Sequence, residues 1–465
     1  MQQAIVQRKP IRTISGVTPI TVVVQPLSCK WRCTYCPTFK DAPKSYTPLS
    51  PAIMRAAPLK YDPSAQVQAR LEQLEQMNHP TNKVELILIG GTFLDPGSCT
   101  LEYQYSFIKS CYDSLNSRVS STLEKAQALN ETAAHRCVAL CIETRPDVCE
   151  DEHIDRMLEF GTTRCEIGVQ TLDEEIYKTI KRGHGIKQVK DASARLKNSS
   201  FKLGYHVMPG LPGSNVDKDI EMYKEFFENP AYRPDHVKIY PTQVMEGTEL
   251  GEQAKQTGWQ TYNDKELLEV LKAIKKATPR YCRIMRMMRA VPSKYILSGT
   301  KHSDFRKLAA SALIKEGSHC KCIRCREVGF VQNSGKKIDR RLHLKTTKYE
   351  SSNGQEFFLE HVNKDDVLFA LARLRIPPGS HRKEITSKTL LVRELHVYGP
   401  EVAIDKREDA ASQHKGLGRR LMQKAEESAL DNGCKKIVVI SGAGVREYYS
   451  RLGYSLEGHY MVKGI

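Results

Sequence analysis

The feature that most constrains the fold is a regular alternation of short apolar runs and helical stretches between residues 19 and about 290. Six runs, rich in β-branched and other apolar residues, have the length of buried strands. They are Ile20–Val24, Val84–Ile89, Val138–Ile142, Cys165–Val169, Leu203–Val207 and Val237–Tyr240. Helical stretches lie between them at about 62–74, 101–130, 150–160, 173–181, 186–198 and 217–228. Six strand–helix units in series predict parallel strands in a barrel or partial barrel, with functional loops at one face.

Three cysteines, Cys29, Cys33 and Cys36, follow the first predicted strand with the spacing CxxxCxxC. Three thiolates can hold three irons of a 4Fe–4S cluster, which normally takes four, so that the fourth iron stays open. A three-cysteine zinc knuckle and thiols that cluster by chance are the alternatives. The spacing, the preceding strand and Tyr35 just before the last cysteine favour the cluster. The pattern resembles that of radical S-adenosylmethionine (SAM) enzymes.

Polar or glycine-rich segments follow several of the predicted strands. They are Gly90–Phe93, Glu143–Asp147, Gly168–Gln170, His206–Pro212 and Lys238–Thr242, and Arg182–His184 comes one helix after the fourth strand. Each segment alone is compatible with an ordinary turn. Because they recur at the same end of successive parallel strands, we expect them to meet around one site.

The composition indicates a chain with real hydrophobic cores and a basic excess. Of the 465 residues 40% are hydrophobic, and 71 Lys and Arg against 54 Asp and Glu give a net charge of +17. That excess favours a polyanionic partner such as nucleic acid. No apolar run reaches the roughly 18 residues of a membrane span, and the N-terminus does not resemble a signal peptide. We therefore expect a cytoplasmic protein that makes no membrane contact.

Two basic segments are candidates for that partner. Residues 1–18 form a short basic stretch that is either an arm or a solvated tail. Between residues 280 and 292, arginines alternate with apolar residues, and Arg283, Arg286 and Arg289 are predicted to contact phosphates on a basic face rather than only solvent.

A second cysteine group, Cys320, Cys322 and Cys325, lies in a short polar segment. Clustered thiols in a chain without a secretion signal indicate metals rather than disulfides. Three cysteines and one further ligand suit a structural zinc, which would stabilise a linker between two domains. His319 and Cys282 are the candidates for the fourth ligand.

From about residue 340 the pattern changes to paired strands and one long helix. Predicted strands at 357–360, 367–374 and 390–398 precede Gly416 and Gly418, which open a helix that runs to about Leu430. Glycines at a helix start expose backbone amides that suit a pyrophosphate. The segment matches the Q/R-x-x-G-x-G/A acetyl-CoA loop and resembles the GNAT acetyltransferases. In that family the tyrosine at the position of Tyr449, four residues before Gly453, protonates the leaving CoA thiolate.

The whole chain resembles the family of the Elongator catalytic subunit, radical SAM and GNAT tRNA-uridine acetyltransferases that stand alone in archaea and some bacteria. The shared segments include Lys9–Gly16, Tyr61–Pro63, Gly90–Phe93, Ile142–Asp147, Glu166–Gln170, Arg182–His184, Phe226–Pro230, Arg393–Gly399 and Ile440–Gly442. The resemblance implies an α/β fold, in which a partial (βα)6 radical SAM barrel is followed by a zinc-bearing linker and a GNAT α+β domain. The expected boundaries are an arm at 1–18, the barrel at 19–290, the linker at 291–338 and the GNAT domain at 339–465.

The resemblance also implies the residues of each site. Cys29, Cys33 and Cys36 hold the 4Fe–4S cluster, and Gly90, Gly91, Thr92, Glu143 and Gln170 form the SAM pocket. Further cofactor-binding residues, chiefly for acetyl-CoA, are Lys83, Glu394, Leu395, His396, Val397, Gln413, His414, Lys415, Gly416, Leu417, Gly418, Arg419, Tyr448 and Tyr449.

The implied reaction begins with one-electron cleavage of SAM, for which an electron donor is needed. The resulting radical takes hydrogen from the acetyl methyl group of acetyl-CoA, and the carbon radical adds to carbon 5 of the wobble uridine of a tRNA. Thioester hydrolysis then leaves 5-carboxymethyluridine. Two other functions stay open: a protein lysine acetyltransferase with a purely structural SAM domain, and a non-catalytic tRNA-binding module. The chain acts alone or as a homo-oligomer.

Overall fold

The first half of the chain is built on one parallel sheet. The computed structural model describes residues 7–399 and 416–465. Within them, seven parallel strands follow the order β1-β2-β3-β4-β5-β6-β8. Their bounds are β1 (Thr18–Val23), β2 (Lys83–Ile89), β3 (Arg136–Thr144), β4 (Arg164–Gln170), β5 (Lys202–Val207), β6 (His236–Ile239) and β8 (Arg283–Arg286). The partial parallel barrel predicted from the alternation is confirmed, and β8 adds a seventh strand.

Helices connect the strands and cover the outer face of the sheet. They are α1 (Pro51–Ala56), α2 (Pro63–Glu75), α3 (Leu101–Asn116), α4 (Leu123–Asn130), α5 (Asp151–Glu159), α6 (Glu174–Thr179), α7 (Ile186–Asn198) and α8 (Val216–Glu228). Local sequence sets their ends: the Asp62 carboxylate accepts a hydrogen bond from the Ala65 amide at 2.7 Å and caps α2. The predicted stretch at 101–130 is two helices, because Ser117 takes a left-handed conformation and ends α3.

The two faces of this sheet have different chemistry. Ile20, Val22, Leu86 and Leu140 are fully buried against the helices. The inner face carries charged side chains instead, among them Glu85, Arg164, Glu166, Lys202 and Lys238, and most of these line a cavity. A barrel filled by apolar side chains would be a packed core, whereas this one keeps a charged lumen.

A connecting region follows β6 and leads to the C-terminal half. The short strands β7 (Val244–Met245) and β9 (Ile296–Ser298) pair antiparallel. The helices of this region are α9 (Glu249–Thr257), α10 (Asp264–Ala277), α11 (Phe305–Lys315), α12 (Ile323–Arg326) and α13 (Val328–Asn333). The thiols of Cys320, Cys322 and Cys325 lie around the start of α12.

A second sheet forms the C-terminal half, with the order β10-β11-β12-β13-β14-β16-β15 among the described residues. Its strands are β10 (His343–Ser351), β11 (Gly354–Val362), β12 (Leu368–Ile376), β13 (Thr389–Val397), β14 (Lys436–Val439), β15 (Ser455–Glu457) and β16 (Tyr460–Gly464), with helices α14 (Leu417–Asp431) and α15 (Arg446–Ser450). All neighbours are antiparallel except β13 and β14. This is the α+β arrangement predicted for the GNAT domain.

The second sheet closes the amino-terminal end of the barrel. Arg136, Lys202 and His236 are the first residues of β3, β5 and β6, and the contacts with the C-terminal half fall at or beside them. Arg136 pairs with Glu447 at 3.3 Å, and Lys202 pairs with Glu394. The carboxyl-terminal ends of the barrel strands face the opposite way, toward the cysteine loop.

A fully buried ion network joins the two sheets. The Arg393 guanidinium donates to both carboxylate oxygens of Asp235, at 2.7 and 2.8 Å, and to the Phe201 carbonyl at 2.6 Å. Arg373 lies 3.5 Å from the same carboxylate and 2.7 Å from Glu394. The Arg373, Arg393 and Asp235 side chains have no exposed surface. Burial of such charges is tolerated only when each one is paired.

The described part of the N-terminal segment packs against the body of the protein. The Gln7 amide and the Thr13 hydroxyl contact the His79 ring at 2.9 and 3.0 Å. Ser15 donates to Glu327 of the connecting region at 2.5 Å, and its carbonyl contacts His396 Nε2 at 2.7 Å. Residues 7–17 are therefore anchored to the rest of the protein, although residues 8–11 are exposed to solvent.

Candidate active site

The cysteine triplet lies in the loop after β1, at the carboxyl-terminal end of the barrel strands. Cys29, Cys33 and Cys36 all line the central cavity. The Cys36 amide donates to the Cys33 carbonyl at 3.0 Å, which fixes a tight turn between the last two thiols.

Two buried arginines, Arg145 after β3 and Arg182 after α6, approach the middle thiol. Arg182 Nη1 lies 3.5 Å and Arg145 Nη1 lies 3.9 Å from Cys33 Sγ. Burial acts to raise the pKa of Cys33, but the charges of Arg182 and Arg145 outweigh it and lower that pKa. A lowered pKa favours the thiolate, the form that ligates iron. The donor set of this loop therefore fits a cluster.

The spacing of the triplet differs from that of a site for a single ion. Among the described residues, two groups bring three ligand atoms within 4.8 Å of one another, Cys320 with Cys322 and Cys325, and Glu143 with Glu166 and His206. The triplet of Cys29, Cys33 and Cys36 is not one of them. A cluster of four irons is larger than one ion and keeps its thiolates farther apart. The wider separation of Cys29, Cys33 and Cys36 therefore favours the predicted cluster rather than a zinc knuckle.

The predicted SAM-pocket residues lie at the carboxyl-terminal ends of β2, β3 and β4, and all of them line the same cavity. Gly90 and Gly91 follow β2 with φ values of 115° and 62°. Glu143 accepts a hydrogen bond from Lys238 at 2.7 Å, which holds its carboxylate in place. Gln170 ends β4 with φ 71°, a left-handed conformation that costs free energy in a residue other than glycine. The structure thus brings these five predicted residues to one end of the barrel.

Lys83 lies at the other end of the barrel, as the first residue of β2, and also lines the cavity. Between the two ends, ion pairs cover the lumen wall. Arg164 pairs with Glu85, and Lys238 pairs with Glu166, which also accepts from His206 at 2.8 Å. These pairs neutralise one another, so they line the lumen without leaving a buried charge unpaired.

The predicted acetyl-CoA turn opens α14. Gly416 is the residue before the helix, with φ 77° and ψ 4°, a conformation that favours glycine. A Cβ at Gly418 would lie 2.9 Å from the Tyr448 hydroxyl, so a larger residue would collide there. The amides of Leu417, Gly418 and Arg419 form the first turn of α14, where backbone donors are free to bind an anion. Gln413, His414 and Lys415, the remainder of the predicted loop, lie outside the described residues.

Beside this turn the strands β13 and β14 diverge. Their parallel pairing ends at Val392 and Val439, whereas β13 continues along β12 as far as Val397. The predicted residues Glu394, Leu395, His396 and Val397 occupy that extension, and all four line the cavity. Because the pairing with β14 ends at Val392, an extended cofactor with amide groups can form hydrogen bonds along that edge of β13.

The two tyrosines of α15 complete this end of the cavity. Tyr449 is buried, and its ring meets the Tyr448 ring edge to face with centroids 5.2 Å apart. Burial raises the pKa of Tyr449 far above its usual range, and it raises the pKa of Tyr448 to about 12. Both hydroxyls therefore keep their protons at neutral pH, as a general acid for a thiolate requires.

The three predicted RNA-contacting arginines lie in different surroundings. Arg283 is buried, pairs with Glu327 and lies over the Tyr398 ring at 5.7 Å. Arg286 is exposed at the end of β8, and Arg289 donates to the Ser45 hydroxyl at 3.2 Å. Because the charge of Arg283 is already paired, only Arg286 and Arg289 remain candidates for phosphate contact.

The second cysteine group is compact. The sulfur atoms of Cys320, Cys322 and Cys325 all lie within 4.8 Å of one another. Hydrogen bonds from Cys320 and Cys325 hold the pKa of the Cys322 thiol well below its usual range. Neither His319, which is exposed, nor Cys282, which is buried, belongs to that group. Three converging sulfurs fit a tetrahedral metal with one position for another ligand.

One cavity of about 1400 Å³ connects the two ends of the barrel. It reaches the cysteine triplet at one end and the Gly416–Arg419 turn, Tyr448 and Tyr449 at the other. The predictions did not include Arg145, Arg182 and Trp31 as site residues, although Arg145 lies in a segment that follows a predicted strand and Arg182 in one that follows a predicted helix. Arg145 lies over the Trp31 ring at 4.1 Å, beside the triplet.

Comparison with known proteins agrees with this architecture. Residues 27–226 match the radical SAM superfamily, residues 234–315 match the radical SAM C-terminal domain, and residues 332–454 match the acetyltransferase (GNAT) family. The chain is therefore a radical SAM protein that carries a GNAT acetyltransferase domain. No helix in the parts of the chain that the structure describes is long and apolar enough to cross a membrane.

Individual relatives cover almost the whole chain. The tRNA uridine(34) acetyltransferase of Methanocaldococcus infernus is 47% identical over 99% of this chain and 88% of its own length. That of Dehalococcoides mccartyi is 46% identical over 98% and 99%, and human Elongator complex protein 3 is 39% identical over 98% and 85%. The solved structure of the M. infernus Elp3 with an N-terminal deletion has 45% identity and a TM-score of 0.86, covering 97% of this chain and 100% of that one. The chain belongs to the family of tRNA uridine(34) acetyltransferases and Elongator complex protein 3.

Proposed function

We propose that this chain is a tRNA-modifying acyltransferase that forms 5-carboxymethyluridine at the wobble uridine, using acetyl-CoA and radical SAM chemistry. The names of its relatives support the substrate, and the basic excess of the chain suits a folded RNA. The observation that carries the proposal is the single cavity between the cysteine triplet and the acetyl-CoA turn. The radical reaction and the acetyl transfer act on the same substrate, so their two sites must be connected. A purely structural SAM domain would not need a cavity that joins it to the GNAT domain.

The residues of each end have distinct tasks in this proposal. Cys29, Cys33 and Cys36 would hold a 4Fe–4S cluster, which supplies the electron that cleaves bound SAM. Arg145 and Arg182 keep Cys33 in the thiolate form. At the other end, the amides at the start of α14 bind the CoA pyrophosphate, and the Tyr449 hydroxyl gives its proton to the CoA thiolate as it leaves.

The partners and boundaries follow from the same arrangement. We propose that tRNA contacts Arg286 and Arg289, that an electron donor acts on the cluster, and that the protein works in the cytoplasm, alone or as a homo-oligomer. We also propose units at 1–18, 19–290, 291–338 and 339–465. The family matches at 27–226 and 332–454 support the barrel and GNAT units.

The function is tested by measuring CoA release. Purified protein with a reconstituted cluster is expected to hydrolyse acetyl-CoA when tRNA is added, and to modify wobble uridine when SAM and a reductant are also present. The free thiol of released CoA measures acetyl-CoA hydrolysis, and mass spectrometry of digested tRNA measures uridine modification. Acetylation of a histone-like peptide that tRNA does not affect would favour a protein acetyltransferase and overturn the proposal.

We further propose that Cys320, Cys322 and Cys325 bind a structural zinc ion. Purified protein is expected to hold about one zinc per chain, because three converging thiols make a strong site for this metal. Cys322→Ser is expected to lose the zinc and to unfold at a lower temperature. Elemental analysis and thermal denaturation measure both effects, with Cys434→Ser as a control at another buried thiol. Equal zinc content in Cys322→Ser and the wild type would contradict the assignment.

A further inference from the structure

The GNAT sheet presents one imidazole to the central cavity at the point where its strands diverge. His396 lies on the extension of β13 and lines the cavity. Val397, on the opposite face of the strand, lies beside Gly418 of the acetyl-CoA turn, with a side-chain carbon 3.8 Å from where a Cβ on Gly418 would be. The His396 ring is therefore close in the sheet to the cofactor turn, but on the side of the sheet that faces the barrel.

The contacts of this ring fix its tautomer. His396 Nε2 lies 2.7 Å from the Ser15 carbonyl oxygen, which can only accept a hydrogen bond. Nε2 must therefore carry a hydrogen, and in the neutral ring Nδ1 keeps its lone pair. The ring is also stacked on Tyr398, with centroids 4.2 Å apart and planes at 22°. These two contacts hold the orientation of the ring.

The second ring nitrogen is available to a ligand. Nδ1 of His396 makes no hydrogen bond with any residue in 7–399 or 416–465, and it is not among the fully buried unpartnered atoms of those ranges. It is therefore an accessible acceptor on the cavity wall. Buried histidines that only support the fold usually have both nitrogens paired or enclosed, as His236 has in the barrel.

Burial keeps this ring neutral. Burial lowers the pKa of His396 below its usual range, and Lys202 of β5 acts in the same direction. Glu394 on the same strand, the Ser15 carbonyl and Glu327 of the connecting region act against it but do not outweigh burial. At neutral pH the Nδ1 lone pair is therefore free to take a proton.

From this geometry we propose that His396 is the general base that activates water for hydrolysis of the acetyl-CoA thioester. This inference rests on the proposed function. His396 Nδ1 removes a proton from water as the water oxygen bonds to the thioester carbonyl carbon. The carbon–sulfur bond then breaks, the acyl group leaves as a carboxylic acid, and CoA leaves as a thiolate that takes its proton from Tyr449. Exchange with solvent removes the proton from His396 and returns one to Tyr449, which restores both groups. The step consumes one water and needs no oxidant or reductant.

The test compares His396→Gln with the wild type in tRNA-dependent CoA release. The Gln side chain keeps an N–H donor for the Ser15 carbonyl but is not a base. General base catalysis contributes about 10²–10⁴-fold, so CoA release is expected to fall by at least about 100-fold while acetyl-CoA affinity and SAM cleavage persist. His361→Gln, in the same sheet but not on the cavity wall, is the matched control and is expected to retain full CoA release.

Two further readouts separate catalysis from a structural role. The wild-type rate is expected to fall as pH drops below the imidazole pKa, since protonation removes the Nδ1 lone pair, and this dependence should disappear in His396→Gln. Added imidazole is expected to restore part of the activity of His396→Ala. The inference would be overturned if His396→Gln released CoA within threefold of the wild-type rate. It would also be overturned if weaker acetyl-CoA binding alone explained the loss, or if imidazole did not restore activity to His396→Ala. Absence of tRNA-dependent release in the wild type would overturn the proposed function itself.

Discussion

Replacing Cys33 with alanine is expected to abolish uridine modification and SAM cleavage while tRNA still binds. Cys33 is one of three thiols available for the cluster, and it is the one that Arg182 and Arg145 approach at 3.5 and 3.9 Å. Without it only two protein thiolates remain, and the cluster would lose one of its three protein ligands. Mass spectrometry of digested tRNA, SAM cleavage and tRNA affinity measure the three parts of this prediction, and iron and sulfide content reports whether the cluster is held.

The matched control is Cys434→Ala, which removes a buried thiol that does not line the cavity. This control is expected to retain iron, SAM cleavage and modification. Retained modification in Cys33→Ala would show that the reaction does not use the cluster. Joint loss of modification and tRNA binding would instead show that the cysteine loop supports the RNA surface.

Replacing Asp235 with alanine is expected to be strongly destabilising, although this residue lies outside the catalytic groups. Its carboxylate accepts two hydrogen bonds from Arg393 and lies 3.5 Å from Arg373, and none of the three side chains is exposed. Removing one partner of a buried pair leaves uncompensated charge and typically costs about 3–5 kcal/mol. Thermal and urea denaturation of the variant should show the loss.

An exposed ion pair provides the comparison. Lys187 and Asp191 form an i,i+4 pair on α7, with side chains that are 83% and 38% exposed. Asp191→Ala is expected to cost only about 0.3–0.5 kcal/mol, because water screens such a pair. Equal stability of the Asp235→Ala and Asp191→Ala variants would mean that the network does not hold the two sheets together.

Sequence periodicity predicted the barrel strands well because each carries a run of apolar residues. The bounds of β2 and β5 differ from the predicted runs by one residue at their starts. The strand β8 was not predicted, because its sequence Arg283–Arg286 alternates charged and apolar residues over only four positions. The glycine spacing at Gly416 and Gly418 correctly located the start of α14, since a helix start with glycines has a local signature.

Long-range contacts could not be predicted in this way. The burial of Arg283 depends on Glu327, which is 44 residues away, and the approach of Arg182 to Cys33 spans 149 residues. The segment of Arg280 to Arg289 resembles a basic surface when it is considered alone. Only the folded position of Glu327 in the connecting region shows that Arg283 of this segment is already paired. The placement of the GNAT sheet at the amino-terminal end of the barrel has no local signal for the same reason.

The contact between Ser15 and His396 has a consequence for how the protein is made. It joins two residues that are 381 positions apart in the sequence. At roughly 5–20 residues per second, synthesis separates them by roughly 20–80 seconds. The barrel can therefore begin to fold long before the second sheet is synthesised. The N-terminal segment can pack against the barrel during that time. The end of the cavity that contains the start of α14 is completed only after β13, α14 and α15 have been synthesised, so we expect it to form later than the barrel.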